Sequence, residues 1–192
     1  LDQAPVLELP TDHPRPQELE YLGSSMPFNL DSELTKRIQS LSKQLDATPY
    51  MVMFAAYGWL LSKYSGQDDL CIGTPIANRN VNDVEELIGF FANTLVYRIE
   101  TAGAQTFREA VTSLKQKLMD AYQFQEMPFE RLVDELGVER SMSHAPLFQV
   151  MFVYQNLPVR KMQMSGIEFS PLHVERDTSR YDITIEINDQ GE

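Results

Sequence analysis

The sequence predicts an α/β fold of the α+β kind, a mixed sheet covered by helices. Helical apolar spacing clusters early in the chain and strand-like runs gather late. The length of 192 residues suits one domain or one large lobe, and 43% hydrophobic residues are enough to bury a core.

The elements follow in order. Prolines at 5, 10, 14, 16 and 27 make residues 1–28 extended, because each also pushes its predecessor away from helix. Leu34, Ile38, Leu41 and Leu45 recur at helical spacing and predict a helix over 32–45, with Asp31 or Ser32 as its cap. A second helix is predicted over 49–65. Thr48 caps it, Pro49 suits its first turn and Gly66 ends it. Its Met51, Val52, Met53, Phe54, Tyr57, Trp59, Leu60 and Leu61 are apolar nearly all round, so it should be central and buried. Leu70 to Ile76 reads as a buried strand that ends or bulges at Pro75. Residues 77–87 read as a polar loop, and Asn93 to Ile99 as another strand.

Thr106 and Glu109 form a capping box opening a long helix with an inner stripe of Phe107, Ala110, Val111, Leu114, Leu118, Ala121 and Tyr122. Pro128 starts a short helix that Gly137 closes. Phe148 to Gln155 has little polarity and reads as a central strand; Gly166 to His173 is a weaker one. From 181 to 188 the pattern alternates. Tyr181, Ile183, Ile185 and Ile187 are predicted on one face and Asp182, Thr184, Glu186 and Asn188 on the other, which meets either solvent, the default, or a wet cavity.

Charge excludes some functions. The net charge of −12 argues against nucleic acid and against an anionic membrane surface. The acidic balance makes a cytoplasmic domain the expectation, and no apolar stretch is long enough to span a bilayer. Cys71 is the only cysteine, which rules out an internal disulfide and a cysteine zinc cluster, and its apolar run suggests a buried thiol. Leu1 is not a natural start, and the chain reads as a piece of something longer.

Local chemistry is sparse. His13, His144 and His173 lie in no HxxxD string and none has a second histidine at metal-ligand spacing. Ser143 and His144 are neighbours, but adjacent residues on an extended chain point apart, so they make a poor nucleophile and base. There is no GxSxG elbow and no phosphate loop. Glu130 in a first helical turn is accounted for by the helix dipole.

Several short strings carry more. Residues 88–98, IGFFANTLVYR, resemble the IGxFVNTLxxR pattern of condensation domains from nonribosomal peptide synthetases, with Ala92 in place of valine. Residues 124–130, FQEMPFE, resemble HQDYPFE and depart at Phe124, Glu126 and Met127. Residues 140–147, RSMSHAPL, resemble RDxSRxPL with Ser141 replacing the acid, and FQVMFVYQN at 148–156 is similar to the same family. The resemblance covers about 88–187, and the string LPTDHPRP at 9–16, similar to the family's crossover between lobes, extends it. Several matches in the right order are stronger than any one alone.

The resemblance implies a chloramphenicol-acetyltransferase-like lobe. Residues 1–28 would be the inter-lobe crossover or linker, and 29–192 the C-terminal lobe, ending before the family's final latch segment. Its partners would be the N-terminal lobe of the same domain and donor and acceptor carrier proteins. No cofactor would bind directly; substrates would arrive on phosphopantetheine. The family's catalytic HHxxxDG is absent from these residues, so no catalytic residue is expected here. Motif position and the polar alternation of the 148–156 strand nominate Asn93, Thr94, Gln149, Met151, Val153, Gln155 and Asn156 as walls of a substrate tunnel, unless Asn93 and Asn156 merely cap strand ends. Arg98 and Phe129 are expected to be structural. Other readings are an epimerising or heterocyclising relative, a non-catalytic carrier-docking module, and a coenzyme-A-dependent acyltransferase lobe, the last poorly served by an acidic chain.

Overall fold

A computed structural model describes residues 1–80, 82–85, 87–103, 106–138, 141–155, 163–164, 167–168 and 177–189. Helix α1 spans Ser32–Gln44, with the Asp31 carboxylate accepting from the Leu34 amide at 2.7 Å. Helix α2 spans Pro49–Ser65; Thr48 caps one end, and Gly66 closes the other in the left-handed region at φ 72°. The segment predicted as pure loop contains one short helix, α3, at Asn82–Glu85. A four-residue turn has no room for apolar periodicity, so no pattern announces it. Helix α4, Phe107–Tyr122, opens on the predicted capping box, with both Thr106–Glu109 bonds formed. Helix α5 spans Phe129–Glu135, and Gly137 follows at φ 58°.

The main sheet has four strands: β1 (Asp69–Ile76), β2 (Asn93–Glu100), β3 (Val150–Gln155) and β6 (Ile183–Asn188), in the order β2-β1-β3-β6. β1 and β2 are antiparallel; β1 with β3 and β3 with β6 are parallel. The register pairs Gly73 with Val96 and Met151, and Met151 in turn with Thr184. β3 is thus an interior strand, as its low polarity suggests. Two short strands, β4 (Gln163–Met164) and β5 (Ile167–Glu168), pair with each other. The rest of the predicted 166–173 strand lies outside the described residues.

Pro75 neither ends nor bulges β1. It stays in register opposite Thr94. On the β3 side, where proline brings no N–H, the Thr74 hydroxyl donates to the Phe152 carbonyl at 2.8 Å.

Two apolar clusters cover opposite faces of the sheet. One joins α1, α2 and α4 to Leu70, Ile72, Leu95, Tyr97, Ile99, Val150 and Phe152. Phe152 is fully buried and meets the rings of Phe54, Tyr50 and Tyr57 at 5.3, 5.8 and 5.8 Å. A buried phenylalanine contributes about 1.5–3 kcal/mol, so this aromatic group dominates the cluster. α2 is buried along Val52, Phe54, Tyr57 and Leu61, but not all round: Leu60 and Tyr64 face outward.

The second cluster joins Cys71, Val96, Leu147 and Phe148 to Val133 of α5. The Phe148 ring lies over Gly73, between Phe129 at 5.5 Å and Tyr181 at 5.0 Å. Tyr181 therefore packs away from Ile185 and Ile187, which belong to the first cluster. The alternation starts only at Ile183, because the backbone bends through 180–182 before β6 begins.

Residues 1–28 contain no helix, as predicted. They are bound to the rest of the chain along much of their length. Leu7 is fully buried, and its amide donates to the Gln149 side chain at 2.7 Å. The Asp2 carbonyl accepts from Arg98 at 2.9 Å, and the Val6 carbonyl from Gln67 at 2.9 Å.

Candidate functional site

The sheet's second face carries Thr94, Val96 and Arg98 of β2; Cys71, Gly73 and Pro75 of β1; Met151, Val153 and Gln155 of β3; and Thr184, Glu186 and Asn188 of β6. Its lower half lies under α5, Phe148 and Tyr181. Its upper half is a shelf at the C-terminal ends of the parallel strands. Thr94 and Val153 are half-buried there, while Pro75, Gln155, Glu186 and Asn188 are exposed. Within the shelf the Gln155 amide donates to the Glu186 carboxylate at 2.8 Å.

The nominated residues divide between this shelf and elsewhere. Thr94, Val153 and Gln155 lie on it, and Met151 sits at its inner edge, partly packed into the second cluster. Asn93 is committed to structure. Its Nδ2 donates to the Gln125 and Met127 carbonyls at 2.8 and 2.7 Å, and its Oδ1 accepts from the Phe129 amide at 3.2 Å. One side chain thus ties the start of β2 to the turn before α5, joining two of the motif strings. Gln149 is buried, with its carbonyl oxygen on Leu7 and its Nε2 donating to the Ala145 carbonyl at 3.1 Å. Asn156 lies outside the described residues.

Thr184, Glu186 and Asn188 share the shelf and are exposed there, which agrees with the solvent-facing alternation.

The motif residues outside the shelf have structural roles. Arg98 grips Asp69 through two bonds of 2.8 and 2.6 Å, which raises the guanidinium pKa and holds the carboxylate below its usual range. Burial pushes the Cys71 thiol up to about 11. Arg79 stands 4.4 Å over the Phe91 ring, shaping the loop between β1 and β2. Ser143 meets Ser141, their hydroxyls 2.9 Å apart, and the His144 Nδ1 is 3.2 Å from the Ala145 carbonyl, so no Ser–His pair forms. Among the described residues no group of His, Cys, Asp and Glu is placed to hold a metal.

The shelf offers amides, hydroxyls and a carboxylate, with no histidine, lysine or cysteine among its described residues. It can orient a polar chain by hydrogen bonds. A mixed four-stranded sheet, packed by helices on one face and partly open on the other, defines a chloramphenicol-acetyltransferase-like α/β lobe. The condensation-domain family profile matches residues 1–192, and the chain belongs to that family.

One of the linear gramicidin synthase proteins of Brevibacillus parabrevis is 46% identical over 94% of this chain and 4% of its own length. Bacitracin synthase 3 of Bacillus licheniformis is 42% identical over 95% of this chain and 3% of its own. The chain therefore spans a small fraction of these relatives. Among solved structures, the condensation domain of the monacolin K polyketide synthase superposes with a TM-score of 0.78 at 29% identity, over 97% of this chain and 45% of that one. The X-domain from teicoplanin biosynthesis gives a TM-score of 0.73 at 28% identity, over 78% of this chain and 33% of that one. Among the described residues, no helix is long and apolar enough to cross a membrane.

Proposed function

We propose that this chain is the C-terminal lobe of a cytoplasmic nonribosomal peptide synthetase condensation domain. The family match over the whole chain carries the reading, and the open polar shelf supports it. A donor acyl or peptidyl thioester and an acceptor aminoacyl thioester meet on phosphopantetheine arms of two carrier proteins. The acceptor amine attacks the donor carbonyl; the C–N bond forms, the C–S bond breaks, and the donor thiol leaves with a proton equivalent to that lost by the amine. A thioester is already activated, so the largest contribution required of a wall is alignment. Thr94, Met151, Val153 and Gln155 supply it together with Glu186 and Asn188, while Asn93 and Gln149 hold the shelf's supporting loops. The base comes from the partner lobe.

The test is single-turnover condensation in the intact synthetase with both carriers loaded. The donor chain should move to the acceptor carrier, and this chain alone should form no amide. Amide formation by the isolated chain would overturn the division of labour, and failure of the intact protein would overturn the reaction. A non-catalytic docking module is the second reading, favoured by a described shelf whose polar groups bind one another, as Gln155 and Glu186 do. Retained carrier binding in an intact protein that never forms amide would select it.

A further inference from the structure

Three segments far apart in sequence meet at the leading ends of β3 and β6: the extended N-terminal strap, the turn at 141–149, and the lead-in at 177–182. Two residues each tie all three. Gln149 accepts from the Leu7 amide, donates to the Ala145 carbonyl, and through its own backbone carbonyl accepts from the Asp182 amide at 2.8 Å. Arg15 forms a two-pronged pair with the Asp182 carboxylate, its Nη1 bond measuring 2.9 Å, and the same nitrogen reaches the Ser143 carbonyl at 3.3 Å.

Backbone bonds extend the seam. Leu19 donates to the Met142 carbonyl at 2.8 Å, Gly23 to the Asp177 carbonyl at 3.0 Å, and Ser179 to the Tyr21 carbonyl at 2.9 Å. At Gly23 the strap runs so close that a Cβ would lie 2.6 Å from the Ser179 Cβ and 2.8 Å from its nitrogen. An exposed ion pair by itself contributes little. Arg15 differs because its partner is already placed by the Asp182 backbone bond to Gln149, because the pairing is bidentate, and because a third acceptor lies in reach.

We propose that Arg15 is a positioning residue: it locks the strap to the leading ends of β3 and β6, and so sets how whatever is attached through the strap faces the shelf. The inference rests on the condensation reading for its consequence, but the lock is a property of this chain. The strap then moves with the lobe as one body, and the alignment of two carrier-borne substrates depends on a residue that touches neither.

Two measurements test it. In the 192-residue chain, Arg15→Ala should speed hydrogen exchange at the Leu19 and Gly23 amides about fivefold to tenfold, while the β1–β2 amides keep their protection. Arg15→Lys, which keeps the charge but not the fork, should fall between. In the intact synthetase, Arg15→Ala should slow single-turnover amide formation about tenfold with unchanged acceptor-carrier KM, and Arg15→Asp with Asp182→Arg should recover part of the rate. A purely structural role would lower the folded yield and leave the rate per folded molecule alone. Unchanged exchange at Leu19 and Gly23 overturns the lock. Faster exchange with an unchanged rate overturns its role in alignment. A wild-type synthetase that makes no amide overturns the condensation reading, and with it the alignment role, while the exchange result still decides the lock.

Discussion

Gly73 has a side-chain requirement whose sign can be worked out. Its backbone φ is not positive, so alanine fits the strand conformation. By chain entropy alone, Gly73→Ala would stabilise the protein by about 0.4–1 kcal/mol. Packing points the other way. A Cβ built at Gly73 falls 2.3, 2.4 and 2.7 Å from three carbons of the Phe148 ring. Relief to an ordinary contact of 3.4 Å needs the ring to move by about 1 Å, an overpacking that costs about 1–3 kcal/mol. The ring has little room to retreat: it is fully buried and flanked by Phe129 and Tyr181. The clash should win, with net destabilisation of about 1–2 kcal/mol, equivalent to about 2–8 °C in Tm for a chain of this size.

Urea unfolding followed by circular dichroism would measure it. Phe148→Ala should cost about 3–5 kcal/mol through the cavity it leaves. The double variant should cost distinctly less than the two singles together, because the methyl then fills vacated space. A stabilised Gly73→Ala protein, or strictly additive effects, would refute the argument that Phe148 is immobile over the sheet.

Asn93→Ala should destabilise by about 2–3 kcal/mol, since it leaves the Phe129 amide and two carbonyls without their partner; chemical denaturation would show it. Cys71, fully buried with its thiol pushed up to about 11, should react with a thiol reagent at pH 8 only as fast as the protein opens. Equal labelling rates in native and denaturing buffer would contradict its burial. Arg98 holds the folded-state pKa of Asp69 below its unfolded value, so the stability this pair adds is present above about pH 4 and lost as pH falls through the depressed folded pKa. The carboxylate is about a third exposed, which limits the effect to about 1 kcal/mol. Asp69→Asn should lower stability at pH 7 by that amount and flatten the acid limb of the stability curve below about pH 4.

Features decided within a few residues are legible in the sequence. The Thr48 and Thr106 caps, the αL stop at Gly66 and the Val111, Leu114 and Leu118 stripe of α4 all depend on neighbours one to four positions away and form as their patterns indicate, but Tyr122, predicted on the same stripe, is 53% exposed at the helix end. The motif strings also suffice for the family, because several matches in order leave few alternatives. The alternation of β6 is readable too, but only from Ile183 onward: Tyr181 is drawn to Phe148, far back along the chain, across a bend that no local pattern marks.

Tertiary structure alone decided what the nominated polar residues bond to. Gln149 and Gln155 stand on the same side of one strand pattern. Yet Gln149 lies under the strap, its amide bonded to a segment 142 positions away, whereas Gln155 stands on the open shelf. Asn93 closes on a turn 32 to 36 positions downstream, and Arg15 on a carboxylate 167 positions away. A polar side chain becomes a clamp or a free wall according to whether distant backbone groups must be satisfied beside it, and that depends on chain packing rather than on spacing along the sequence. By itself the sequence determined the longer elements, their caps and the family. The packing decided which polar groups bind the fold together and which remain exposed on the shelf.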